Sequence, residues 1–154
     1  MRGDCIKNMD SETPKFRFEK GDYIKTDNGT LVKVLDDCGI NECNVNTNIG
    51  VIESHYPNIM IDMDVIKACG FVFDPNNSNF KVTIVNDVVV ITMDIPSCMV
   101  KNVKILGPRY HIDNLPYSDR GWCVLSDLQD AVRRLSGNEL PIDEEYLSEI
   151  ILKK

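Results

Sequence analysis

Two cysteines separated by four residues in a polar loop, Cys38 and Cys43, come nearest in this chain to half of a metal site. Thiolates at that spacing can share one tetrahedral zinc ion. The other half is missing: no further cysteine pair is closely spaced, and His55 and His111 stand alone. Two thiols in a polar loop are therefore expected, and no metal. Cys98, after Pro96 and Ser97, and Cys123, beside Trp122, are candidate nucleophiles only if His111 reaches one of them as a base and a third group orients it. Cys69 and Cys123 sit in apolar patterns, where cysteine serves as a small hydrophobe. The run Arg109, Tyr110, His111, Ile112, Asp113 combines an imidazole, an acid and a guanidinium, a set suited to proton transfer or anion binding. The plainer reading packs the tyrosine on the body and leaves the rest solvated. Asp36/Asp37, Asp62/Asp64 and Glu144/Glu145 are explained by turns and helix ends, and there is no Walker loop, GxGxxG or GxSxG. The expectation is a protein that is not an enzyme, with no catalytic residue and no cofactor. Arg109, Tyr110, His111, Arg133 and Arg134 remain as candidates for touching a partner.

Composition narrows the partner. The net charge of −7 over 154 residues disfavours nonspecific attachment to nucleic acid or an anionic membrane, both of which need a positive field. Lys15, Arg17 and Lys20 interleaved with Phe16 and Phe18 are the nearest approach to a nucleic-acid stripe, in an otherwise acidic chain. No run approaches the ~18 apolar residues of a membrane span. The polar N-terminus is not a signal peptide, so a cytoplasmic location with six free cysteines is expected. A length of 154 residues suits one domain or two small lobes sharing a core, and a hydrophobic content of 43% is ordinary for a globular protein.

The elements that must position these residues follow in order. Residues 1–15 read as a flexible arm. Between 16 and 58, Tyr23–Thr26 and Thr30–Leu35 flank Asp27-Asn28-Gly29, a hairpin whose two- or three-residue loop is left open by the sequence. The opening KGDYIKTDNGTLVKVL resembles the first strands of SH3-like barrels, which implies a small β-barrel lobe over 16–58. From 59 to 154 an α+β lobe is expected. Its helix 62–69 starts at Asp62 and stops at Gly70, with Phe71 closing the cap. A hairpin over 80–93 turns at Asn86-Asp87, pairing Ile84 with Val89, Val82 with Ile91 and Phe80 with Met93. A strand over 100–106 and a loop over 107–121 follow. Trp122–Leu125 reads as a buried strand end. A helix over 127–136 is marked by the capping box Ser126/Gln129, the stripe Leu128, Ala131, Val132, Leu135 and the stop at Gly137. A last helix covers 143–152.

The segment Val124-x3-Leu128-Gln129-x5-Leu135-Ser136-Gly137-x-Glu139-Leu140 resembles the C-terminal signature of a family of short uncharacterised proteins from Bacteroides-group bacteria and their phages or prophages. Leu125 and Ser126 stand where those proteins carry valine and histidine. The short helix ending in Gly70-Phe71 is similar to a second feature of that family. The resemblance implies context and architecture rather than chemistry: an accessory protein of phage or mobile-element type. The function expected is a non-catalytic protein-binding module, with a host protein or a second copy of the chain as candidate partner. The alternatives are a nucleic-acid-associated module using the barrel and a small Cys/His-dependent enzyme.

Overall fold

The computed structural model describes residues 16–54, 57–76, 78–94, 97–106, 113–115 and 123–153. The arm over 1–15 and the candidates Arg109, Tyr110 and His111 lie outside the described residues. The chain is a mixed α+β protein of antiparallel ladders and a few helices.

The first part carries six short strands: β1 (Phe16–Phe18), β2 (Tyr23–Lys25), β3 (Leu31–Lys33), β4 (Cys38–Gly39), β5 (Asn44–Thr47) and β6 (Gly50–Glu53). The β2–β3 hairpin has a three-residue loop. Thr26 N–H donates to Thr30 O at 2.9 Å, Gly29 N–H returns to Thr26 O at 2.9 Å, and Gly29 takes φ +87°, the left-handed position such a loop reserves for glycine. That register turns Ile24 and Val32 to one side and Tyr23 and Leu31 to the other. Ile24 and Val32 join Phe18, Val34, Cys38 and Val45, with Ile52 against them, in a small core. Tyr23 and Leu31 belong instead to a larger core. The hairpin is thus a wall shared by two cores.

The larger core lies under a five-stranded meander, β7 (Val72–Asp74), β8 (Asn79–Ile84), β9 (Asp87–Met93), β10 (Val100–Leu106) and β11 (Asp113–Leu115), each strand paired with the next. Helices α1 (Met63–Ala68), α2 (Leu125–Ser136) and α3 (Glu144–Lys153) fill it. In α1 the Asp62 carboxylate accepts from Val65 N–H at 2.9 Å, Gly70 takes φ +81°, and Phe71 N–H closes on Ile66 O at 3.3 Å, as the sequence expects. The chain between the lobes runs antiparallel to the lead-in of α2: Ile61 N–H donates to Cys123 O and Leu125 N–H to Ile59 O, both at 2.8 Å.

Four expectations are corrected. The turn of the 80–93 hairpin is Val85-Asn86, so Ile84 faces Asp87, Val82 faces Val89 and Phe80 faces Ile91. The shift is two residues, which leaves the same six apolar side chains on one face. The second helix begins at Leu125, with Val124 at the cap and no side-chain cap bond, so Ser126 is buried inside the first turn. Of the expected strand end over 122–125, Trp122 lies outside the described residues, and the described part contributes one isolated bridge, Met60 to Val124, before Leu125 starts that helix. The 107–121 loop contains β11, and β7 arises where no strand was expected. Both are three-residue strands, too short to leave a periodic signal and formed because a neighbouring edge is there to pair with.

Candidate functional site

Among the described residues the densest set of ionisable groups lies where α2 meets the turn between β1 and β2. Asp22 is fully buried at 0% exposure. Its carboxylate accepts from Glu19 N–H at 2.9 Å and from Arg133 Nη1 at 2.8 Å. The same guanidinium donates to Asp130 Oδ1 at 2.6 Å and, through Nε, to Glu139 Oε2 at 2.7 Å, with Glu19 Oε1 at 3.8 Å. Arg133 Nη2 is buried with no hydrogen-bond partner among the described residues. Gly21 makes this approach possible. A Cβ there would lie 2.9 Å from both Arg133 Nη2 and Glu139 Oε1, and the residue sits at φ +98°.

Four carboxyls around one guanidinium cannot all stay ionised in a site partly closed to water. Burial, followed by the charge of Asp22 and a hydrogen bond to it, pushes the Asp130 carboxyl up to about 9, so it carries a proton at neutral pH and donates to Asp22. Burial also raises Asp22, against the lowering effect of Glu19 N–H, and raises Glu19 with help from the Asp22 charge. Burial opposes the charge of Arg133, but bonds to Glu139 and Asp22 outweigh it and hold its pKa up. The cluster is an inter-lobe clamp. Arg133, expected to be able to reach a partner, is turned inward with its side chain 14% exposed, because Asp22 and Glu19 of the other lobe join its own neighbours Asp130 and Glu139 around it. Arg134, one residue on, is exposed.

Beside the clamp, Gln129 is 1% exposed and spans the same boundary. Its Oε1 accepts from Tyr23 N–H at 3.0 Å, and its Nε2 donates to Gly21 O at 2.9 Å. Two residues along β2, Asn58 does the same for Lys25, accepting from its N–H at 3.0 Å and donating to its C=O at 2.7 Å. Two carboxamides therefore occupy the edge of β2 as a neighbouring strand would. Sequence reasoning assigned Gln129 to a local capping box and passed over Asn58.

The cysteines find other partners. Cys38 Sγ, buried in the small core, faces the carbonyls of Gly39, Glu42 and Asn44 at 3.6–3.8 Å. Burial, with the Glu42 charge, raises its pKa. Cys69 is buried and pushed up to about 12. Both are held as thiols. Among the described residues no group of three or more His, Cys, Asp and Glu is placed to hold a metal ion. His111, on which the Cys98 and Cys123 readings depended, lies outside the described residues. Phe18 of the expected basic-aromatic stripe is buried at 0%, and Arg17 is spent on the carbonyls of Ile40 and Glu42.

Two surface features of the N-terminal part bear on binding. Val34 bridges Thr47, Leu35 N–H donates to Asn46 O at 2.8 Å, and Asn46 lies opposite Val51, so Leu35, Asn46 and Val51 form one row across three strand segments. The inward residues Val34, Val45 and Thr47 are buried, which turns this row outward, with Leu35 41%, Ile49 56% and Val51 69% exposed. Round the edge of the same lobe lies an open cleft of about 850 Å³, lined by Lys25–Asn28 and Asn58 on one wall and Ile52, Glu53 and Ser54 on the other. Among the described residues no helix is long and apolar enough to cross a membrane. No protein-family model, curated protein or solved structure matches this chain.

Proposed function

We propose that the protein is a non-catalytic protein-binding module of the accessory type found in Bacteroides-group bacteria and their phages. Its smaller lobe serves as an SH3-like barrel left open at one seam. The observation that carries this is the outward row Leu35–Asn46–Val51, apolar and exposed at both ends, with exposed Ile49 at the adjoining turn and Asp36, Asn44, Asn48 and Glu53 nearby in the same strands and turns. Exposed apolar side chains set among polar and acidic ones suit a protein surface carrying apolar and basic groups. The clamp supports the same reading, because its perturbed acids are engaged in joining the lobes. The C-terminal signature supports the phage or mobile-element context.

The test is affinity capture from bacterial lysate with the full chain and with Leu35→Glu/Ile49→Glu, read by quantitative mass spectrometry. Both residues are exposed, so circular dichroism should be unchanged. The proteins retained by the wild type should fall at least tenfold on the variant. An identical retained set on both baits refutes the proposal.

A further inference from the structure

The smaller lobe treats its two outer strands differently. Four of its six strands run in the order β2, β3, β5, β6, through the β2–β3 hairpin, the Val34–Thr47 bridge and the β5–β6 hairpin, and share one core with the separate β1–β4 ladder. The outer edge of β2 is closed by the Gln129 and Asn58 carboxamides. Strand β6 pairs with β5, and among the described residues no strand lies on its other side.

The hydrogen-bond parity of β6 says which groups face that side. Ser54 N–H donates to Cys43 O at 2.8 Å, so in an unshifted antiparallel register Ile52 and Gly50 also turn their backbone groups toward β5. Val51 has the opposite parity. Its partner Asn46 turns its C=O away to accept from Leu35. The Val51 N–H and C=O therefore lie in the sheet plane and point away from β5. The 850 Å³ cleft opens on that side, between Ile52–Ser54 and Lys25–Asn28.

We infer that this seam takes an extended peptide segment of the partner protein, which pairs with β6 as an added strand. The inference rests on the protein-binding reading and specifies its mode. A segment matching the four residues of β6 is about 13 Å long. Backbone bonds to Val51 hold it in register, as in other strand-addition complexes. The side chain set opposite Val51 lies beside that exposed valine, which favours an apolar residue there. Among the described residues the cleft lining carries the acids Asp27 and Glu53 and one cation, Lys25, so a lysine or arginine in the segment is matched by charge.

The experiment uses a displayed library of random dodecapeptides, selected on the full chain. Enriched peptides should bind in solution and slow exchange of the Val51 amide. Val51→Pro removes the N–H that faces the seam but none that the β5 ladder uses, the setting in which an edge strand accepts proline. It should weaken binding at least tenfold, while Val51→Ala stays within threefold of wild type. Equal binding by Val51→Pro, an unprotected Val51 amide in the wild-type complex, or no enriched peptide overturns the inference. So does a concentration-dependent dimer that Val51→Pro abolishes, since the occupant would then be a second copy. Peptides that lose affinity on Leu35→Glu/Ile49→Glu but not on Val51→Pro leave the binding surface standing and remove the seam. The converse removes the surface and keeps the seam.

Discussion

Replacing Asp130 with asparagine should make the protein more stable at neutral pH, and increasingly so as the pH rises. In the folded protein the Asp130 carboxyl keeps its proton to about pH 9, against an ordinary value of 3.8. Between those values the folded state binds a proton that the unfolded chain has released. Stability is therefore fully present below about pH 4 and is lost as the pH climbs toward 9, at about 1.4 kcal/mol per pH unit for one proton. At pH 7.5 the ceiling on that loss is about 5 kcal/mol. Water reaching the 26% of the Asp130 side chain that is exposed, and adjustment of Arg133, reduce it to roughly 2–3 kcal/mol. Asparagine keeps the geometry without the proton: its Nδ2 can donate to Asp22 and its Oδ1 can accept from Arg133 Nη1.

The assay is urea unfolding followed by circular dichroism at half-unit steps from pH 5 to 9. Asp130→Asn should gain about 1 kcal/mol at pH 5 and roughly 2–3 kcal/mol at pH 7.5, the latter a rise in Tm of about 5–10 °C for a chain of this size. A gap that stays constant across the range, or a variant less stable than wild type at pH 7.5, would mean that Asp130 is ionised in the fold and paired with Arg133. The shared-proton account would then fail.

Three further outcomes follow from the same boundary and from the sheet. Gln129→Ala should cost about 2–4 kcal/mol in urea unfolding, since it strips the partners from buried Tyr23 N–H and Gly21 O; a loss under 1 kcal/mol would mean that water replaces the carboxamide. Gly21→Ala should cost about 1–3 kcal/mol, through both its positive φ and the 2.9 Å approach to Arg133 and Glu139, and the loss should shrink when Glu139→Ala is added, a double-mutant cycle that isolates the clash. Val85→Asn should stabilise by about 1 kcal/mol, since a β-branched residue at φ +37° and 71% exposure gives up strain and little packing; an unchanged Tm would show that the turn relaxes without help.

The elements legible in the sequence are those whose signals are local. Asp62, Gly70 and Phe71 mark both ends of α1 with residues that act within one turn of each other. The Asn28-Gly29 pair marks the β2–β3 hairpin, although not the length of its loop. The 80–93 hairpin shows the limit of periodicity. Two registers that differ by two residues bury the same side chains, so the pattern alone cannot choose between them, and the turn falls at Val85-Asn86. Ser126 and Gln129 show a stronger limit. Their spacing satisfies a local capping rule, yet Gln129 bonds Tyr23, 106 positions away. Asp22 reads as a turn residue in Lys20-Gly21-Asp22, and nothing near it in sequence announces that Arg133 will bury it. A clamp assembled from two distant segments has no spacing to detect.

That non-local arrangement bears on where a partner could sit. The β2–β3 and β5–β6 hairpins, joined at the Val34–Thr47 bridge over a core as small as Phe18, Ile24, Val32, Val34, Cys38 and Val45, leave two outer edges to protect, β2 and β6. The larger lobe protects one of them. Gln129 comes from α2 and Asn58 from the connecting chain, and both act on β2, while Arg133 fixes the turn that leads into it. Because these groups also hold the lobes together, the β2 edge cannot be offered to a partner without loosening the molecule. Among the described residues the outward backbone groups of Val51 on the β6 edge carry no such duty. A strand added there would leave the clamp, both carboxamides and the β5 ladder as they are, so binding at β6 would not be offset by loss of inter-lobe contacts. Loosening the boundary with Gln129→Ala should lower stability and leave the β6 edge intact. Fold and recognition are thereby assigned to opposite edges of the same small sheet.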